Sequence, residues 1–239
     1  MTPPPAADRG GPDVRRGSGR SVSEHGPGAR AAHSFSFGSH YDPANLGFGP
    51  IVCHDDHRLE PSAGYDDHPH ADLEVVTWVL GGALVHRSPS LDGDGARGVL
   101  GPGAVQVLSA GSGVVHAETG DPAAGPTRFV QTWLRPDVAG TAPSYGRAEA
   151  PTAAGLTAVA GSGGPVPLGV AGATLWVARG AGEVTLPEAG RLHVYLPRGA
   201  ASLEEDVDLA AGDAVRLVDA GGARLRLGTG GELLVWSFR

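Results

Sequence analysis

The sequence predicts an all-β protein made of two similar halves. Glycine and proline are frequent, with 39 and 20 residues in a chain of 239, and such punctuation is typical of short strands joined by turns. Short apolar and β-branched segments recur at regular spacing, which indicates a β-sandwich or barrel. An internal repeat supports two halves, because PGAVQVLSAG at 102–111 resembles AGDAVRLVDAG at 211–221.

The first half contains the clearest strand candidates. LEVVTWVLGGALVHR is β-branched and apolar, and Gly81-Gly82 divides it into two strands. VLGPGAVQVLSAGSGVVHAE predicts a strand over 104–108 and another after the glycine turn at 111–113. RFVQTWLRP predicts one more strand, which Pro136 ends. The second half offers six further candidates: ATLWVARG, GEVTLP, RLHVYLPRG, DAVRLVDAG, ARLRLG and ELLVWSF.

Composition divides the chain into four segments. Residues 1–30 carry few large apolar side chains, so we expect a disordered tail that cannot offset its ordering entropy. Residues 31–140 form a first domain and 166–239 a second. Residues 141–165, rich in Ala, Gly, Pro and Thr, are predicted to be the linker between them.

Charge and cysteine content narrow the range of partners and compartments. The formal net charge of −8 argues against direct binding to nucleic acid or to an anionic membrane. No apolar run approaches the roughly 18 residues that a membrane span needs, and the N-terminus lacks the apolar run of a signal peptide. Cys53 is the single cysteine, which excludes an intramolecular disulfide and suits a reducing compartment. We therefore expect a cytoplasmic protein.

HPHADLE, residues 68–74, is the first candidate site. His68 and His70 project from the same face of a strand, since side chains alternate. Asp72 and Glu74 share that face if no bulge intervenes. A lone HxH pair more often decorates a solvated strand face, so this stretch by itself does not establish a metal site.

HAE, at 116–118, strengthens the metal hypothesis. His116 and Glu118 also share one strand face, and nine of the ten histidines lie at or before His116, with only His193 after it. Imidazole and carboxylate donors without sulfur suit Fe, Ni, Mn, Zn or Cu. If the two halves share a fold, only the first kept residues of metal-ligand type.

Three sequence blocks resemble a known family. His68-x-His70-x3-Glu74-x6-Gly81 and GSGVVH resemble the two signatures of the cupin superfamily. HSFSFGSHYDPANLGFG, HPHADLEVVTWVLGGALVHR and PGAVQVLSAGSGVVHAE together resemble the pirin family, over about residues 31–145. The resemblance implies two cupin barrels, with the metal only in the N-terminal one.

The resemblance also implies a ligand set and an activity. Pirin-like proteins would use His68, His70, His116 and Glu118, whereas a general cupin would take its carboxylate from Glu74; Glu74 otherwise becomes a partner that orients an imidazole. The implied cofactor is one divalent transition metal, Fe(II) first, with Ni, Mn, Cu, Co or Zn as alternatives. The implied function is a mononuclear dioxygenase that uses O2 to cleave a flavonol such as quercetin, with loss of carbon monoxide.

Two glutamates are candidate catalytic bases. Glu118 is the first candidate for the base that takes the proton of the 3-hydroxyl group, and Glu74 is the second. The competing hypotheses are a non-catalytic, redox-responsive regulator that acts through a protein partner, and a structural two-barrel protein with a vacant site. Of the other residues, His57 and His86 are expected at the surface, and Cys53 as a small buried hydrophobic residue.

Overall fold

The computed structural model describes residues 11–91, 97–150, 155–204 and 206–239, and these confirm the all-β class. Apart from one 3-10 turn, Gly17–Gly19, their regular structure consists of strands. No helix among the described residues could cross a membrane. The chain divides into two compact units. We call residues 20–150 and 158–171 the N-terminal barrel, and residues 11–19, 155–157 and 172–239 the C-terminal barrel.

The N-terminal barrel has a seven-stranded and a four-stranded antiparallel sheet. The larger sheet has the order β12-β9-β6-β11-β4-β3-β2. Its strands are β2 Ser21–Glu24, β3 Ala29–His33, β4 Ile51–Leu59, β6 Glu74–Gly81, β9 Ala104–Ser109, β11 Thr127–Leu134 and β12 Ser144–Glu149. The smaller sheet has the order β5-β10-β7-β8, with β5 Gly64–His70, β7 Leu84–Arg87, β8 Arg97–Leu100 and β10 Val114–Gly120.

The C-terminal barrel repeats this arrangement. The strands of its larger sheet have the order β1-β19-β16-β21-β14 within this unit. They are β1 Asp13–Arg15, β14 Ala173–Arg179, β16 Arg191–Arg198, β19 Ala214–Val218 and β21 Glu232–Phe238. Its smaller sheet runs β15-β20-β17-β18, with β15 Gly182–Thr185, β17 Ala200–Leu203, β18 Val207–Ala210 and β20 Arg224–Leu227. Along the chain, the division between the two units falls within β13, Thr157–Gly161.

Strand order supports the internal repeat read from the sequence. In chain order, β4, β6, β9 and β11 occupy the same places in their sheet as β14, β16, β19 and β21. The small sheets correspond in the same way, β5-β10-β7-β8 with β15-β20-β17-β18. The predicted break at Gly82 is also confirmed, because this glycine has φ +68° in the turn between β6 and β7.

The predicted tail is wrong for the part that the structure describes. Residues 1–10 lie outside the described residues, but β2 pairs with β3, and β1 pairs with β19 in the C-terminal barrel. Gly17 and Arg16 also donate hydrogen bonds to the Asp213 carboxylate. These strands are ordered by backbone pairing at sheet edges, which needs few large apolar side chains.

The predicted linker and second domain also differ from the structure. Ser144–Glu149, within the predicted linker, forms β12 and pairs with β9, so it covers an edge that would otherwise expose unpaired backbone groups. The strands β17 and β18 were missed, because each is only four residues long and so shows little alternation. The six strands predicted in the second half are all present.

Candidate metal centre

Three histidines converge on the small sheet of the N-terminal barrel. Register places His116 of β10 directly opposite His68 of β5, and His70 opposite Val114. The ring centroids lie 4.3 Å apart for His68 and His116, 4.9 Å for His68 and His70, and 5.0 Å for His70 and His116. One nitrogen atom from each ring lies within 4.8 Å of the others. The HxH pair and the third histidine therefore form one cluster, which we call the histidine cluster.

A bulge in β5 sets the orientation of His68. The register shifts between His116 and Glu118, so that Glu118 lies opposite Tyr65. The carbonyl oxygen of Asp66, within this irregular stretch, lies 2.7 Å from Nδ1 of His68. Since a carbonyl can only accept, Nδ1 carries the proton and Nε2 keeps its lone pair. This is the tautomer that a metal ligand needs, fixed by a backbone contact.

Several cluster nitrogens are buried without a partner. Nε2 of His70 and both ring nitrogens of His116 have no hydrogen-bond partner within the described residues. Burial is the main cause that lowers the pKa of His70 to about 4, and the His68 imidazole acts in the same direction. Burial likewise lowers the pKa of His116 to about 4, against the Glu118 carboxylate. Both rings are neutral at pH 7 and present free lone pairs, as metal binding requires.

Two glutamine amides hold the Glu118 carboxylate. Gln106 Nε2 donates to Oε1 at 2.7 Å, and Gln131 Nε2 donates to Oε2 at 2.8 Å. Each amide is itself oriented: the Tyr145 hydroxyl donates to Gln106 Oε1, and Trp133 Nε1 donates to Gln131 Oε1, both at 2.9 Å. Because both amide oxygens are occupied, both NH2 groups face Glu118, and this arrangement favours an ionised carboxylate.

The charge state of Glu118 follows from the same surroundings. Burial alone would raise the pKa of its carboxyl, but the His86 and His116 imidazoles and the Gln131 amide lower it to about 2. His86 Nδ1 lies 3.9 Å from Oε1, which is longer than a hydrogen bond. His86, His116 and Glu118 form a second group whose donor atoms lie within 4.8 Å of one another, and His116 belongs to both groups.

A row of polar side chains crosses the inner face of the large sheet, beside Glu118. Register aligns its members directly across neighbouring strands β3, β4, β11, β6 and β9. In that order they are His33, Asp55, Gln131, Thr77 and Gln106. The row lies between two apolar clusters, one around Val79 and Phe129 and one around Val75 and Leu108. Every member is buried, so this interior-facing row is polar where a barrel is usually apolar.

A pocket of about 180 Å³ opens beside the row. Its lining includes groups from the histidine cluster, from the polar row and from three aromatic rings. The lining residues are His25, Phe37, Asp55, His57, Tyr65, His68, Glu118, Gln131 and Trp133. A ligand in this pocket would therefore meet a metal bound by the histidine cluster on one side and aromatic walls on the others.

Glu74 does not join this site. Asp72 has φ +51°, which ends the alternation that began at His68, and Glu74 starts β6 in the other sheet. It lies three residues before Thr77 and so faces the opposite side of β6. Its carboxylate accepts a hydrogen bond from Ser109 Oγ at 2.8 Å. The expectation that Glu74 shares a face with the HxH pair is wrong, because a turn intervenes.

The remaining histidine and cysteine expectations have mixed outcomes. His57 and His86 are buried, not at the surface, because each faces the barrel interior and stacks on an aromatic ring, His57 on Phe129 and His86 on Tyr145. The burial predicted for Cys53 is confirmed.

Sequence reasoning missed the groups that support Glu118. Gln106 lies within AVQVLS, and Gln131 and Thr77 lie within RFVQTWL and EVVTWVLG. A polar residue at an inward-facing position of an apolar strand was the available signal, because buried polar groups are nearly always hydrogen-bonded. Asp55 gave no such signal, since its neighbours His54 and Asp56 are also polar.

Comparison with known proteins identifies the family of the chain. The family described as Pirin matches residues 16–134. A Mycobacterium bovis protein named "Putative quercetin 2,3-dioxygenase" is 41% identical over 234 residues, which are 94% of this chain and 93% of the relative. The chain belongs to the pirin family. A Zymomonas mobilis protein of the same name is 34% identical over 200 residues, covering 80% of this pirin and 83% of the relative.

Solved structures confirm the fold. A bacterial pirin from Escherichia coli, crystallised in complex with nickel(II), superposes with a TM-score of 0.83 at 22% identity, over 95% of this chain and 98% of that one. A quercetin 2,3-dioxygenase from Acinetobacter baumannii gives a TM-score of 0.75 at 17% identity, over 95% and 79%. This pirin thus has the predicted fold of two cupin barrels.

Proposed function

We propose that this pirin binds one divalent transition metal through His68, His70, His116 and Glu118. The buried, unpartnered nitrogens of His70 and His116 carry this proposal, since such atoms are costly unless they meet a ligand. A set of three imidazoles and one carboxylate suits Fe(II), which the family resemblance favours, and also Ni, Mn, Cu, Co or Zn. Nickel in the Escherichia coli pirin structure supports a divalent ion at this type of site.

The proposed activity is oxidative ring cleavage of a flavonol such as quercetin with O2, that is, a quercetin 2,3-dioxygenase. Relatives named for this activity support it. When bound, the metal would polarise the substrate oxygens and supply the redox chemistry with O2. The protein contributes a pocket whose Phe37, Tyr65 and Trp133 rings can pack against a flat aromatic ligand and exclude water.

Glu118 has the better position of the two candidate bases. It lines the pocket, whereas Glu74 lies on the opposite face of β6 and is hydrogen-bonded to Ser109. Each Glu118 oxygen keeps one lone pair beside the glutamine contact, so one oxygen can meet the metal and the other can accept the 3-hydroxyl proton. A carboxyl with a pKa of about 2 is a weak base. We therefore assign Glu118 first to metal binding and second to proton transfer.

Oxygen consumption tests the enzymatic proposal. After anaerobic loading with Fe(II), the protein should consume O2 and release carbon monoxide when quercetin is added, and the His116→Leu variant should not. Bound metal without oxygen consumption would contradict the dioxygenase and favour the regulator that acts through a protein partner. Failure to bind Fe(II) at all would contradict both functions.

A further inference from the structure

Asp55 is a buried carboxylate of the pocket that the metal-centred chemistry does not use. It is 3% exposed, lies on β4, and pairs in register with Gln131, the residue that holds Glu118. Neighbouring strands are about 4.8 Å apart. A ligand that contacts Glu118 next to Gln131 would therefore need to extend by only about one strand spacing to reach Asp55.

Neighbouring groups fix the orientation of the Asp55 carboxylate but occupy only one of its two oxygens. His33 Nδ1 lies 2.8 Å from Oδ2, and the Cys53 thiol donates to the same oxygen at 3.1 Å. His33 is held in turn by Ser23 Oγ, 2.9 Å from Nε2. Both side-chain contacts that Asp55 receives within the described residues go to Oδ2, which leaves Oδ1 for a ligand.

The next residue provides a contrast on the same strand. Asp56 faces the other side of β4, where Arg128 donates to both of its oxygens at 2.9 and 2.6 Å. That bidentate ion pair satisfies the carboxylate, as buried carboxylates usually require. Asp55 has no such guanidinium partner among the described residues, and it lines a pocket. A buried carboxylate of this kind is more typical of a binding site than of a structural ion pair.

Three other polar side chains of the pocket, Tyr65, His57 and Gln131, already have hydrogen-bond partners. Tyr65 OH lies 2.7 Å from Nδ1 of His57. Burial raises the pKa of Tyr65 and lowers that of His57, so both are neutral and the hydroxyl donates to the ring. The Gln131 amide is held between Trp133 and Glu118. Outside the proposed metal site, Asp55 is thus the carboxylate of the pocket lining that can accept a new hydrogen bond.

We propose that Asp55 is a specificity-determining residue, which accepts a hydrogen bond from a hydroxyl group on the ligand remote from its metal-binding oxygens. This inference rests on the proposed flavonol-binding function. It narrows the ligand class to hydroxylated aromatics: the Phe37 and Trp133 rings favour a flat ring, and a fixed carboxylate favours an O–H donor and disfavours an anionic group.

Two flavonols provide the test, because 3-hydroxyflavone has the metal-binding 3-hydroxyl and 4-keto oxygens of quercetin but none of its other hydroxyls. Dissociation constants are measured by calorimetry on the full chain with Zn(II) added, so that no oxidation competes. A hydrogen bond to a charged group is worth about tenfold or more in affinity. The wild type should therefore bind quercetin at least about tenfold more tightly than 3-hydroxyflavone.

Variants assign the preference to Asp55. Asp55→Asn should reduce the ratio of the two constants to about threefold or less, while the matched control Asp56→Asn should keep the wild-type ratio. Asp55→Ser replaces the asparagine variant if the latter does not fold. A wild-type ratio near one, or a ratio unchanged in the folded Asp55 variant, would overturn the proposal. Failure of the dioxygenase proposal is distinguishable, because it removes oxygen uptake and leaves this binding ratio intact.

Discussion

The two barrels share a strand order but differ in the residues at equivalent positions of the small sheet. In the N-terminal barrel, register pairs His116 with His68 and Glu118 with His86. At the equivalent places of the C-terminal barrel, Leu225 pairs with Val184 and Leu227 with Ala201. Those four residues are buried and belong to one apolar cluster.

This difference shows that the fold does not require the polar cluster. The same antiparallel strand pairs carry apolar side chains such as leucine and valine in one barrel, and histidine and glutamate in the other. Buried polar groups cost stability unless they are paired, so the N-terminal barrel keeps them for a reason other than folding. The site is a local replacement of side chains on a common scaffold.

The largest loss of metal affinity should come from placing, in the N-terminal barrel, the residue found at the equivalent position of the C-terminal barrel. His116→Leu copies Leu225 and removes the histidine common to both groups of potential ligands. We expect the affinity for Fe(II) or Zn(II) to fall by at least about 100-fold, since even outer partners of a metal site contribute roughly 10- to 100-fold. Metal content per chain after dialysis measures this. His40→Leu, in neither group, should keep wild-type content, and retention of metal by His116→Leu would contradict the site.

The second-largest effect should distinguish Glu118 from Glu74 as the carboxylate that binds the metal. Glu118→Gln should lower metal affinity by about 10- to 100-fold, because the charge is lost and the new amide meets the NH2 groups of Gln106 and Gln131. Glu74→Gln should change it by less than about twofold, as Glu74 faces away from the cluster. Competition with a chelating dye gives both values. The reverse order would mean that the general cupin pattern operates here.

A smaller effect is expected from the polar row. Gln131→Leu removes one donor to Glu118 and should weaken metal binding by about tenfold. Thr77→Val is the matched control on the same row, because Thr77 accepts from the two glutamines at 3.2 Å and donates nothing to Glu118. Its effect should stay below about threefold. Equal effects of the two variants would show that the row acts only through packing.

The free energy of unfolding should also depend on pH through the buried histidines of the N-terminal barrel. In the metal-free protein, His70 and His116 have pKa values of about 4, against about 6.5 in an unfolded chain. Between these values the unfolded chain binds more protons, so the free energy of unfolding should fall as the pH is lowered from 6.5 to 4. Urea titrations measure this fall. The decrease in the free energy of unfolding with falling pH should be smaller in the His116→Leu variant. An unchanged decrease would mean that other groups cause the pH dependence.

The sequence predicted the repetitive and local features well. Strands with apolar alternation and glycine turns, such as the pair divided at Gly82, can be read from periodicity and turn chemistry alone. The family resemblance supplied the two barrels and brought His68, His70 and His116 into one hypothesis. The edge strands β1, β2 and β12 could not be predicted, because backbone pairing with distant segments orders them and leaves little trace in side-chain pattern.

The surroundings of the histidine cluster were beyond prediction for a similar reason. The positive φ of Asp72 moved Glu74 to another sheet, and one turn residue was enough to break the alternation that the expectation assumed. The alignment of Asp55, Gln131 and Gln106 depends on the register of strands far apart in sequence. A polar residue in an apolar strand signals that a partner exists, but only the fold identifies that partner.

Anomalous scattering from a crystal of the metal-loaded protein tests the central claim most directly. Data on both sides of the absorption edge of the bound metal locate the ion without reference to any assumed ligand. We predict one peak per chain, in the N-terminal barrel, within bonding distance of His68, His70, His116 and Glu118. A peak bound by Glu74, by His86 in place of the HxH pair, or in the C-terminal barrel would contradict the account.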